Sequence, residues 1–187
     1  VPVEAGDYVY VSGYSLLHGG KAQALVDWVL GLPRGINVVF DPGPLVDSPD
    51  EPLMQALLAR IDLWTSNSVE ALKFTGASDI AEALNRLADH LPAVVLMVVR
   101  DGPQGCWISQ CGERQHVPGF KVEAVDSNGA GDAHGGVLVA GLAQGLVPVD
   151  AARRANAAAA LAVTRWGPAT SPGTAEVDEL IHKTLGA

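Results

Sequence analysis

The segment that most limits what this chain can become is Ala93–Val99, apolar without a break from Val94 and largely β-branched. A run that short reads as a strand, and one without polar alternation must be covered on both faces. Ile36–Phe40 has a similar character. Strands of that kind belong to parallel sheets, whose connections need crossover helices. Helical stripes lie where those crossovers are needed. Ala24, Leu25, Trp28 and Val29 mark Lys21–Leu30, and helical spacing returns at Leu53–Ile61, in the turn that stops at Gly76, and from Asp79-x-x-Glu82 to Leu91.

Tyr8–Ser12 alternates as a strand and Leu63-Trp64-Thr65 forms a short one, while Cys106–Ser109 and Arg114–Val117 flank Gly112 as an antiparallel hairpin. Asp41–Pro52, with four prolines and four acids, must be a loop. Three helices are expected over 130–145, 150–163 and 174–185. Strands alternating with helices predict an α/β fold, a three-layer α/β/α sandwich whose mostly parallel sheet carries an antiparallel edge hairpin, with right-handed crossovers. A chain of 187 residues suits one domain.

The balance of charge excludes some functions. A formal charge of −9 and a pI near 4.8 argue against a nucleic-acid partner, which would need lysine and arginine to neutralise phosphates. Apolar runs stop well short of the roughly 20 residues a bilayer span requires, so no membrane partner is expected. Cys106 and Cys111 have neither redox nor zinc spacing and read as idle thiols of a reducing cytoplasm. No signal peptide is visible. The chain opens at Val1 in mid-pattern, which reads as a fragment.

Chemistry concentrates in Asp126-Ser127-Asn128-Gly129-Ala130-Gly131-Asp132, followed at once by an apolar run of helical length. Glycines at a helix N-terminus leave unpaired N–H groups and the positive end of the helix dipole facing any anion. A Walker A loop is excluded, because Gly20-Lys21 is followed by Ala22 and preceded by Ser15 where glycine is needed. A dinucleotide fingerprint fits poorly, since Asp126 and Asp132 bracket the turn and helix follows helix. The third reading is phosphoryl transfer. Backbone N–H groups of Gly129, Ala130 and Gly131 would stabilise charge on the transferred group, and Asp132 would take the proton of an attacking hydroxyl. The alternative use of Asp132 is as a helix cap or dipole partner.

Asp126 to His134 resembles the D-T-x-G-A-G-D-x-F signature of the ribokinase-like (PfkB) carbohydrate kinase family. Asn67-x-x-Glu70 is similar to that family's N-x-x-E motif, Val99-Arg100-Asp101-Gly102-x-x-Gly105 to its nucleotide-side strand and glycine turn, and Asp41-Pro42 to its strand-end D-P. The helix from Ala155 and Asn156 to Arg165 and Gly167 resembles its adenine-side helix. The resemblance implies ATP-dependent phosphorylation of a hydroxyl on a sugar or sugar-like acceptor. It implies Mg²⁺ held through water near Asn67 and Glu70, nucleotide contacts from Arg100, Asp101, Gly102, Gly105 and Asn156, and a cytoplasmic enzyme. A monovalent cation, K⁺, would lie near Asp126, the carbonyl of Asn128, Gly167 and Ser171. Asp126 reads equally well as a turn former.

The resemblance covers nearly all of these residues but only the last two-thirds of a family member. It implies that residues 1–187 are the nucleotide-binding and catalytic portion, without the N-terminal acceptor-binding and lid part through which family members dimerise. Departures from the pattern are Ser127 for Thr, His134 for Phe, Arg100 where Thr is frequent, and Gly43-Pro44-Leu45 after D-P. Arg100 is either a cationic contact to phosphate or an exposed strand-end charge, and His134 a partly exposed structural ring or a catalytic one. Two other readings stay open: a nucleoside or vitamin kinase of the same superfamily, and a nucleotide-binding module without catalysis.

Overall fold

The computed structural model describes residues 2–17, 20–44, 46 and 48–186. Among the described residues six strands form one sheet in the order β1 (Tyr8–Ser12), β2 (Asn37–Asp41), β3 (Leu63–Asn67), β4 (Leu96–Arg100), β5 (Gly105–Gln110) and β6 (Glu113–Pro118). The first four are parallel and the last two form the antiparallel hairpin, turning at Cys111 and Gly112 with φ of 52° and 82°. This is the α/β class expected from the sequence. The chain divides into two compact units, Val1–Arg100 with Ser109–Arg114, and Asp101–Ile108 with Gln115–Ala187.

In the first unit the crossovers are α1 (Gly20–Leu30), α2 (Pro52–Leu58), α3 (Ser68–Thr75) and α4 (Ile80–His90). The apolar runs fill the interior as strands covered on both faces should: Val38, Val39, Phe40, Trp64, Val98 and Val99 are fully buried. Each such aliphatic side chain contributes roughly 1.5–3 kcal/mol on burial. Trp64 packs edge-on to Phe40 and tilts against Phe74, with ring centroids 5.6 and 4.9 Å apart, and its indole N–H donates to Ser66 Oγ at 3.0 Å.

Boundaries move where local hydrogen bonding overrides pattern. β4 starts at Leu96 rather than Ala93, because the Val95 N–H turns back to the Pro92 carbonyl at 2.9 Å and leaves Val94 exposed. α2 ends at Leu58 because the Ala59 and Arg60 N–H groups bond back to Gln55 and Leu57 in a closing turn. In the loop 41–52, Leu45 and Asp47 lie outside the described residues.

The second unit is built on α5 (Ala130–Ala143), α6 (Pro148–Ala162) and α7 (Thr174–Leu185). Ala151, Ala152, Ala155, Ala157 and Ala158 of α6 are all buried, so small side chains let α5 and α6 approach closely. Phe120, Ala157, Ala158 and Val177 form the unit's core, with Val137, Leu161, Leu180 and Ile181 packed against it. Among the described residues no helix is long and apolar enough to cross a membrane, and no group of His, Cys, Asp and Glu is placed to hold a metal by itself.

Candidate active site

Parallel pairing in the first unit brings the C-terminal residues of its strands to one edge: Ser12 lies beside Asp41, and Asn67 beside Arg100. Open α/β sheets bind ligands at this edge. Arg100 joins the residues there. Its Nη1 and Nη2 donate to Asp41 Oδ2 at 3.3 Å, Nη1 also donates to Thr65 Oγ1 at 3.0 Å, and Nη2 lies 3.6 Å from Glu70 Oε2. The Tyr10 hydroxyl donates to the same Asp41 oxygen at 3.0 Å. The side chains of Arg100, Asp41 and Glu70 are only 12%, 17% and 11% exposed, so this ion pairing is partly sheltered from water. Arg100 is therefore not the exposed strand-end charge that was one of its two readings.

Asn67 and Glu70 form a reciprocal capping box on α3. Asn67 Oδ1 accepts from the Glu70 N–H and Glu70 Oε2 accepts from the Asn67 N–H, both at 2.8 Å. Two orphan donors of the helix start are thereby satisfied within the turn. The arrangement is legible by the same rule that marks Asp79-x-x-Glu82, and sequence reasoning applied it only to the latter.

In the second unit, Gly129 is the N-cap of α5 with φ of 76°. A Cβ there would lie 2.0 Å from the Pro168 carbonyl oxygen, so both backbone conformation and close approach require glycine. Among the described residues no side chain caps this helix. The Ala130 N–H makes a long 3.3 Å bond to the Ser127 carbonyl, whereas the N–H groups of Gly131 and Asp132 lie in the first turn, where no intrahelical acceptor exists. Asp132 is exposed, one turn into the helix.

Asp126 organises the approach to that turn. Its Oδ1 accepts from the Asn128 N–H and its Oδ2 from the Gly167 N–H, both at 3.0 Å. These two bonds, Asn128 first, hold its carboxyl below the ordinary value. The chain entering the turn is tied to the end of α6 by the Val125 and Asp126 N–H groups, which both donate to Val163 O. Ser171 is exposed in the loop that follows Gly167.

Asp101, Gly102 and Gly105 form a tight turn in this unit. The Asp101 N–H donates to Gly105 O at 2.7 Å, and a Cβ on Gly105 would lie 2.1 Å from Val117 O. Asn156 is buried, with its amide bonded to Val117 O, Pro118 O and His134. His134 is buried rather than partly exposed.

Residues 2–175 match the pattern of the pfkB family of carbohydrate kinases. The chain belongs to that family. Within it, the chain is 30% identical to the sugar kinase YegV of Escherichia coli K12 over 187 residues, 98% of this chain and 57% of that protein. It is 32% identical to a Haemophilus influenzae ribokinase over 141 residues, 74% of this chain and 44% of that protein. The chain thus spans about half the length of these curated relatives. Among solved structures, a Vibrio cholerae fructokinase crystallised with fructose, ADP and calcium superposes with a TM-score of 0.84 at 27% identity, over 96% of this chain and 62% of that one. A double mutant of the same fructokinase, solved with fructose, ADP and potassium, gives 0.83 at 26% identity and the same coverage. The fold is the ribokinase-like one expected above.

Proposed function

We propose that this chain supplies the nucleotide-binding and catalytic residues for ATP-dependent phosphorylation of a hydroxyl on a sugar or sugar-like acceptor. The observation that carries the reading is the open N-terminus of α5, where uncapped first-turn donors sit beside an exposed carboxylate. A carboxylate and a bound anion repel each other, so an exposed one kept at an anion site is suited to taking a proton there. Asp132 takes the proton of the acceptor hydroxyl, while the Gly129–Gly131 backbone stabilises charge on the transferred phosphoryl group.

The Asp101–Gly105 turn approaches the nucleotide with its backbone. Within the first unit, Arg100 offers a positive charge suited to phosphate, and its partners Asp41 and Glu70 fix its direction. Mg²⁺ fits the Asn67–Glu70 turn only through water, because Glu70 Oε2 already accepts the Asn67 N–H and faces Arg100. The chemistry it supplies when bound is neutralisation of phosphate charge. A monovalent cation fits Asp126, which among the described residues has two backbone donors and no ion-pair partner; the Asn128 carbonyl, Gly167 and Ser171 would complete its site. Among the described residues Cys106, buried, and Cys111, exposed, form no disulfide, which suits a reducing cytoplasm.

The test is Asp132→Asn in the protein that carries this chain. Loss of a general base lowers kcat by about 10²–10⁴-fold, while affinity for a non-hydrolysable ATP analogue stays near wild type. A rate within a few-fold of wild type removes Asp132 from the mechanism.

A further inference from the structure

Between two turns of the second unit runs a buried polar chain that the phosphoryl-transfer mechanism does not use. His134 follows Asp132 by two residues in α5 and is 2% exposed, and Asn156 in α6 is 5% exposed. Asn156 directs its amide N–H groups to the carbonyls that end β6, Val117 O at 2.9 Å and Pro118 O at 3.2 Å. Its Oδ1 therefore faces His134 Nε2, 3.1 Å away, and because Oδ1 can only accept, Nε2 is the protonated nitrogen. The same stretch closes over the glycine turn. Val117 O lies where a Gly105 Cβ would be, and the Gly119 N–H donates to Gln104 O at 3.0 Å. The contacts thus run without a break from the first turns of α5 to the Gly102–Gly105 turn, inside one compact unit.

We infer that His134 and Asn156 are positioning residues that hold the start of α5, with Asp132 and its N–H donors, in register with the Gly102–Gly105 turn. Asn156 then serves the nucleotide from behind that turn instead of touching the base. The role rests on the kinase reading above. An apolar ring of similar volume could fill the same space without burying polar atoms. What the polar pair adds is direction, since three bonds converge on one amide and fix the separation of α5, α6 and the end of β6.

The experiment compares His134→Phe, which fills the volume without a donor, with His134→Gln, whose Nε2–H can still reach Asn156 Oδ1. Amide NMR spectra and calorimetric titration with a non-hydrolysable ATP analogue are recorded on the 187-residue chain. His134→Phe leaves a buried acceptor unpaired. It should shift the amides of Gly105 and Gly119 together with those of Gly131 and Asp132, and weaken analogue binding about tenfold. His134→Gln should keep the Gly105 and Gly119 amides near their wild-type positions and affinity within about threefold. If Phe does not fold, the smaller His134→Leu gives the same comparison. The inference is overturned if Gln disturbs these amides as much as the apolar residue, or if the apolar residue leaves Gly105 and Gly119 unmoved. A wild-type chain that does not bind the analogue would defeat the kinase reading alone, and the amide comparison would still decide what the pair does.

Discussion

The starts of α3 and α5 solve one problem in opposite ways. Both helices begin in the turn region of an α/β fold with backbone donors that have no partner in the helix. At α3 the chain answers them itself: Asn67 and Glu70 exchange side-chain bonds, and Glu70 also faces the largely buried Arg100. At α5 the cap is a glycine without a side chain, pressed against the Pro168 carbonyl, and the acid in the first turn points into solvent. The closed start contributes stability. The open start gives up a cap's contribution, about 1 kcal/mol, and gains an unoccupied set of donors. Local rules are broken most often where a chain does chemistry.

The largest break in this comparison comes from closing α5. Gly129→Ala forces an L-residue into left-handed backbone and places Cβ on the Pro168 carbonyl, so the turn must move. Denaturant unfolding should show a loss of about 2–4 kcal/mol. Phosphorylation by the protein that carries the chain should fall about 10²–10³-fold, as expected when an anion-stabilising donor is displaced. A variant with near-normal phosphorylation would show that the open turn is not where phosphoryl charge develops.

What was legible in the sequence divides along the same line. Local patterns carry well: Tyr8–Ser12 is the strand its alternation predicts, Asp79 caps α4, and the glycine turn preceding α5 stands out by composition. Contacts between distant residues do not carry. Nothing near Arg100 announces that its guanidinium meets Asp41, 59 positions away, or that Thr65 and Tyr10 complete the group. His134 reads from the sequence as a partly exposed ring, whereas it is buried and its Nε2 meets Asn156, 22 residues on. Asn67-x-x-Glu70 is legible as a cap by the same spacing rule that marks Asp79-x-x-Glu82.

A smaller effect tests the closed start. Asn67→Ala removes the acceptor for the Glu70 N–H and should lower stability by about 1 kcal/mol. Asn67→Ser restores a capping oxygen and should recover most of that loss. The pair separates two roles of one residue: if Asn67 also orders water around Mg²⁺, the serine variant regains stability but retains a raised Mg²⁺ requirement for ATP-analogue binding. Recovery of both together would make Asn67 a cap and nothing more.

The smallest effect, and the most local, is the titration of Asp126. Its carboxylate accepts two backbone N–H bonds, so it is more acidic folded than unfolded. The sign follows from linkage: a depressed folded pKa contributes stability above the unfolded value, about 3.9 for an aspartate, and that contribution is lost as pH falls through the folded value. The loop from 126 to 129 should therefore hold its form at neutral pH and loosen only in acid. The Gly167 amide, which donates to Asp126 Oδ2, is the reporter. Its NMR shift should titrate below about pH 4 in the wild-type chain and stay flat over that range in Asp126→Asn. Adding K⁺ should push the wild-type transition to still lower pH if Asp126 holds a cation, because a bound positive charge favours the ionised form. A transition indifferent to K⁺ would leave Asp126 as the brace of the open turn, tying the approach to α5 to the loop that follows α6 without a cation of its own.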